Sequence, residues 1–158
     1  MTEIDAKLQK FIESLEEFDK KVLLPKIDGY DISEYMDLSV DKLKIMSDED
    51  CGIAAVRLAQ YNRFLQKEIN KQNAIKNWAD SNINSIIAEK NNEYDKFIKI
   101  DIKKFLIQKE NSAAAKYYKI YSIALSRVDS LSYITGRIDT QVQTLLALQQ
   151  SKRKYGGK

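Results

Sequence analysis

Apolar residues fall at helical spacing along nearly the whole chain. Between Thr2 and Leu24, the positions Ile4, Leu8, Phe11, Ile12, Leu15, Phe18 and Val22 recur at steps of three and four, the period of one helical face, and predict an amphipathic first helix. Pro25 and the Asp28-Gly29 pair then supply a stop and a turn, because proline disfavours helical geometry in the residue before it and glycine accepts positive φ. The first helix is expected to be a separable arm. Tyr30 to Met46 reads as a loop with a short helical turn around Val40, Leu43 and Ile45.

At Ser47 the pattern sharpens. Ser47-Asp48-Glu49-Asp50 sets a capping hydroxyl ahead of a helix and an acid three residues later, with negative charge at the positive end of the dipole. The stripe Cys51, Ala54, Ala55, Leu58, Tyr61, Leu65, Ile69, Ile75, Trp78, Ala79, Ile83 and Ile86, with polar Gln72 at one expected apolar position, carries a long helix to about Ala88, and Asn91-Asn92 ends it. Residues 91–100 form a connector. From Asp101 as N-cap a second long helix runs through Ile102, Phe105, Leu106, Ala114, Tyr118, Tyr121, Leu125, Val128, Leu131, Ile134, Ile138, Val142, Leu145 and Leu148, weakened only at Gly136. About 50 residues rising about 1.5 Å each would span roughly 75 Å, so this helix needs a partner of similar length. The predicted fold is all-α: a long antiparallel helical hairpin (47–150), an acidic N-terminal amphipathic helix and loop (1–46), and a basic flexible tail (151–158, SKRKYGGK). Apolar surface left over on so long a hairpin predicts a homo-oligomeric helical assembly.

Composition agrees and narrows the chemistry. The chain has five glycines, one proline, no histidine and the single Cys51. Without histidine the side chain best matched to proton transfer at neutral pH is missing, and one cysteine makes neither an internal disulfide nor a multi-cysteine metal site. No glycine-rich phosphate loop, nucleophile motif or carboxylate pair in an apolar setting is present, so no enzyme, cofactor or metal site is expected. Cys51, beside Asp48, Glu49 and Asp50, reads as a packed thiol. The absence of 18 consecutive apolar residues and the acidic start predict no membrane span, no secretory signal and a cytoplasmic protein.

Charge is polarised more than its total of +3 suggests. Residues 1–50 carry 14 acidic and 7 basic side chains, and residues 51–158 carry 9 acidic and 19 basic. The larger part is suited to a polyanion, while the acidic part is suited to a basic protein or to shielding the chain's own basic surface. The densest candidate surface is the connector, where Lys90, Tyr94, Lys96, Phe97, Lys99, Lys103, Lys104, Phe105 and Lys109 interleave cations with aromatic rings. Lysines neutralise phosphates and rings stack bases, which is the chemistry of single-strand binding without sequence readout. The plainer alternative makes Phe97 and Phe105 core residues and the lysines a solvated hairpin tip. Arg63, Lys67 and Lys71, spaced at four, line one helix face, and Lys152, Arg153 and Lys154 form a basic tail. Tyr117, Tyr118 and Tyr121 with Trp78 read as core or subunit interface rather than a nucleotide site.

The region from Leu58 to Arg153 resembles the UvsY-type recombination mediators of tailed bacteriophages. The likeness lies in LAQYNRFLQKEINKQNAIKNWADSNI, similar to that family's early lysine-rich long helix, and in SRVDSLSYITGRI, similar to its C-terminal helical pattern. The resemblance implies a non-catalytic, ring-like homo-oligomer that binds single-stranded DNA and helps a RecA-like recombinase displace the single-strand binding protein, in the host cytoplasm. Where that family places basic DNA contacts near the end of the first long helix, only Lys90 matches; Ile87 and Glu89 occupy neighbouring positions. Residues alone leave a second class open, a helical structural or adaptor protein of a phage, active in assembly or scaffolding.

Overall fold

The computed structural model describes residues 3–21 and 32–155, and every described element is a helix or a turn, with no strand. In order these are α1 (Glu3–Lys21), α2 (Ser33–Met36), α3 (Val40–Ile45), α4 (Asp48–Lys90), α5 (Ile100–Glu110) and α6 (Ser112–Tyr155), with a 3-10 turn at Asn91–Glu93. Helices α4 and α6 pack antiparallel as the predicted hairpin. The Pro25 and Asp28-Gly29 turn, the side chains of Phe18 and Val22, and tail residues 156–158 lie outside the described residues.

The start of α4 forms because its cap is complete. Ser47 Oγ accepts from the Asp50 amide at 3.0 Å, and the Asp50 carboxylate accepts from the Ser47 amide at 3.1 Å and from its hydroxyl at 2.7 Å. Two otherwise unpaired amides are thereby satisfied. These bonds, that of the hydroxyl first, hold the Asp50 carboxyl below its ordinary value.

The chain groups into two compact units, residues 24–69 with 129–158 and residues 1–23 with 70–128. In the first, Cys51, Ala54, Ala55, Leu58, Tyr61 and Leu65 of α4 pack against Ile138 and Leu145 of α6, flanked by Leu131, Ile134, Val142 and Leu148. Both sets recur at steps of three and four, so each helix offers one apolar seam. Ile32, Tyr35 and Met36 at α2, and Leu43 and Met46 at α3, cover its end. Cys51 is fully buried, and that burial pushes its thiol pKa up.

In the other unit α1 is integral, not a separable arm. Its Leu8, Ile12 and Leu15 pack with Ala79 of α4 and Ile120 of α6. The buried Asp5 carboxylate accepts from Lys116 Nζ at 3.0 Å and from Ser112 Oγ at 2.8 Å, and the Leu15 carbonyl accepts from the buried Arg127 guanidinium. Because α6 meets two helices here, its buried face widens to Ile120, Ala124 and Arg127, beyond the single stripe read from spacing. Rings close the junction edge-on: Trp78 lies 5.4 Å from Tyr117 and 6.2 Å from Phe11. Gln72 is buried, as its place in the stripe requires, and its Oε1 has no hydrogen-bond partner among the described residues.

Two expectations are corrected. The second long helix is two helices, because Asn111 leaves helical geometry at φ −106°, ψ 113°. Its amide donates to the Ile107 carbonyl while its side-chain oxygen accepts from the Ala114 amide at 3.0 Å, so one residue caps α5 and starts α6. Asp101 is not the N-cap of α5; Lys99 holds that position without a side-chain bond. Second, residues 151–155 are helical rather than a flexible tail, for α6 runs to Tyr155. Lys152 Nζ donates to the Lys44 carbonyl at 2.9 Å and to the Met46 carbonyl, tying α6 to the end of α3.

Two stability outcomes follow. Asp5→Asn leaves the Lys116 charge short of its counter-ion in a buried setting, and urea unfolding should show a loss of about 2–4 kcal/mol; Glu3→Gln, which breaks the exposed Glu3–Lys7 pair, should change stability by less than about 0.5 kcal/mol. A Cβ at Gly136 meets nothing within 4 Å, so Gly136→Ala should raise the midpoint with a gain of about 0.5–1 kcal/mol from helix propensity.

Candidate nucleic-acid interface

The connector between α4 and α5 is built to hold its own backbone and to present one ring. After Lys90 the chain makes the 3-10 turn, and Tyr94 then packs with Ile83, Ile87, Ile107 and Ala114. The Tyr94 hydroxyl donates to Glu110 Oε2 at 2.5 Å, which fastens the connector to the end of α5. Asp95 forms the next bend: its side-chain oxygen accepts from the Phe97 amide at 3.0 Å and its carbonyl from the Ile98 amide at 3.1 Å. The bend leaves Phe97 96% exposed between the exposed Lys96 and Lys99.

The basic residues singled out from sequence separate into two groups. Lys103 is buried, and its ammonium donates to Asn91 Oδ1 at 3.1 Å, inside the connector rather than toward a ligand. Lys90 pairs with Glu93 at 3.0 Å. Lys152 is spent on carbonyls, and Arg153 pairs with Asp48 at 3.0 Å, holding that carboxyl below its ordinary value. These four act first as braces. Lys96, Lys99 and Lys109 are exposed and Lys104 half-buried at the tip; Arg63 and Lys67 are exposed on α4 in one unit and Lys71 on α4 in the other; Lys154 is exposed on α6. Four carboxylates lie in the stretch of the tip lysines, Glu93, Asp95, Asp101 and Glu110; Glu93 pairs with Lys90 and Glu110 accepts from Tyr94.

Helix α5 departs most from expectation. Its buried positions are Lys103 and Ile107, while Ile100, Ile102 and Phe105 face solvent, Phe105 at 64% exposure. Ile102 and Phe105, read from spacing as seam residues, are surface residues because the break at Asn111 frees α5 from the phase of α6. The alternative in which Phe97 and Phe105 are core is therefore excluded. The tip combines two exposed rings, two exposed isoleucines and three exposed lysines within residues 96–109. The Asn111-Ser112 pair, a capping signal between Glu110 and Ala113, is the sequence feature that marks the break between α5 and α6.

The Tyr117, Tyr118 and Tyr121 cluster is partly buried against the apolar core and serves packing. Among the described residues no group of His, Cys, Asp and Glu could hold a metal ion, and no helix is long and apolar enough to cross a membrane. No protein family, curated protein or solved structure matches the chain.

The Glu110 bond, ahead of burial and of the neighbouring charge, pushes the Tyr94 phenol from 10.0 up to about 12. A raised phenol pKa means the clasp is complete below pH 10 and is lost as pH rises through about 12. A titration of the ¹³Cζ-labelled tyrosines should show the Tyr94 signal moving only as pH rises toward about 12, and Glu110→Gln should return it toward 10.

Proposed function

We propose that this chain is a non-catalytic single-stranded-DNA-binding protein of the recombination-mediator type, gripping the strand at the α4–α5 tip. The observation that carries the reading is the Phe97 ring, almost fully exposed between Lys96 and Lys99. An isolated exposed ring costs the free protein apolar hydration; beside lysines it is a stacking platform next to cations that neutralise the strand's phosphates. Lys104, Lys109 and Phe105 extend that surface along α5. The clasp of Tyr94 on Glu110 and the Lys103–Asn91 bond support it, because a pre-ordered connector loses less entropy on binding. The UvsY resemblance adds, as part of the same proposal, a homo-oligomer working beside a RecA-like recombinase and a single-strand binding protein in a host cytoplasm.

A second reading, a helical adaptor or scaffolding protein, draws on one specific observation: Ile100, Ile102 and Phe105 expose aliphatic and aromatic surface that protein partners commonly cover.

Fluorescence anisotropy of a labelled oligothymidylate, read at low and moderate salt, separates the two. With about three phosphates neutralised at the tip, the log–log salt slope should be about −2. Phe97→Ala should weaken binding by about 5- to 100-fold, the range expected for one stacked base, without changing the helical circular dichroism. Lys96→Ala with Lys99→Ala should weaken binding and flatten the slope by about 1 to 1.5. Salt-independent or absent binding by a folded protein would favour the adaptor.

A further inference from the structure

The Phe97 ring is bare on both faces. Asp95 to Ile98 closes a β-turn, the Ile98 amide donating to the Asp95 carbonyl at 3.1 Å, with Lys96 and Phe97 at its two central positions. A ring lying flat on the protein would lose one face to it; at 96% exposure Phe97 has given up neither. Phe105, at 64%, is partly covered where it sits on α5. The turn that carries Phe97 is nonetheless fixed. The Asp95 side chain accepts from the Phe97 amide at 3.0 Å, Tyr94 ahead of it packs with Ile83, Ile87, Ile107 and Ala114, and Ile98 behind it is half-buried.

We infer that Phe97 is a wedge: it inserts between two adjacent bases of the bound strand and stacks on both, so the site's substrate is a strand whose neighbouring bases are free to part. The inference rests on the tip reading and adds how the strand is held. A base on one face of the ring leaves the other face in water, whereas two bases cover both and remove about twice the apolar area. The tip's net charge is small, so contact with bases must supply much of the affinity. Residues 91–110 carry five lysines against four carboxylates, and Lys103 is turned inward to Asn91. Lys96 and Lys99, exposed on either side of the ring in the chain, neutralise the phosphates next to the parted step. Parting a step roughly doubles its rise of about 3.4 Å and breaks the stack between its bases, a cost that an apolar wedge offsets with its own contacts. That cost is lowest where no complementary strand holds the bases and where they stack weakly on each other. The favoured substrate is accordingly a pyrimidine-rich single strand or an unpaired step in a duplex, and the fully paired duplex is disfavoured.

Abasic strands carrying a counted number of thymines test the wedge in the full-length chain. Three labelled strands of about 12 nucleotides, within the site size of such proteins, carry no base, one central thymine or two adjacent central thymines, and binding is read by anisotropy at low salt. One thymine should raise affinity over the abasic strand by about fivefold or more, and the second by about fivefold again, one stack for each face. Phe97→Ala, at a position too exposed to unfold the chain, should cancel both gains, and Phe105→Ala should leave the second gain in place. If the second thymine adds only the roughly twofold gain of doubling the sites, the ring takes one base, and the wedge is overturned while the tip reading stands. A second gain that survives Phe97→Ala and disappears with Phe105→Ala overturns it likewise, by moving that base onto α5. Failure of the folded protein to bind any strand would remove the tip reading itself, and the wedge with it.

Discussion

Everything described rests on the antiparallel pairing of α4 with α6. In each unit the contact is made by residues at steps of three and four, and small side chains recur along it: Ala54 and Ala55, Ala79, Ala114 and Ala124 are all buried. Small residues let two helix backbones approach, while Leu58, Tyr61, Leu65, Ile138 and Leu145 fill the space beside them. A seam of this kind is strong but poorly discriminating, since a slide by one heptad exchanges one apolar set for another. The polar interruptions supply discrimination. Asn62 reaches Asp139 at 2.6 Å, and the Asp5–Lys116 pair fixes α1 against α6, so a shifted register would strand these groups.

Against that scaffold the two surfaces have different origins. The basic tip exists because α5 is not a continuation of α6. One asparagine takes over the backbone bonds at both helix ends, and the turn it makes exposes a face whose apolar residues would otherwise have joined the seam. The acidic end exists because a capping box concentrates carboxylates where a helix begins. Its carboxylates have local structural tasks: Asp50 closes the cap with Ser47, and Asp48 pairs with Arg153.

Elements with a strong period were legible from sequence: the start of α4 at the Ser47 cap, its end near Asn91, and the packing role of Cys51 each followed from residue type and spacing. The phase of α6 between Ala114 and Val128 was only partly legible, because one stripe describes a helix with one neighbour and α1 supplies a second. Proximity in sequence misled at the tip. Lys103 sits among lysines that face solvent, but helical geometry turns it inward to Asn91, and no pattern of charge alone distinguishes it from Lys104. The same holds for Lys152, whose partners are backbone carbonyls more than 100 positions away. Phe97 was legible as chemistry but not as a surface residue, since its exposure depends on the bend at Asp95.

The packing of α1 has a consequence for biosynthesis. Its buried face is completed by Ile120, and its polar anchors are Ser112, Lys116 and Arg127, all synthesised roughly 100 residues later. At translation rates of about 5–20 residues per second, α1 must wait about 5–20 seconds for the α6 side of its site, with only the α4 side, at Ile75 and Ala79, made earlier. For a helical protein this is an unusually non-local closure, of the kind that slows folding. The unit to which α1 belongs therefore locks only when the far arm of the hairpin returns.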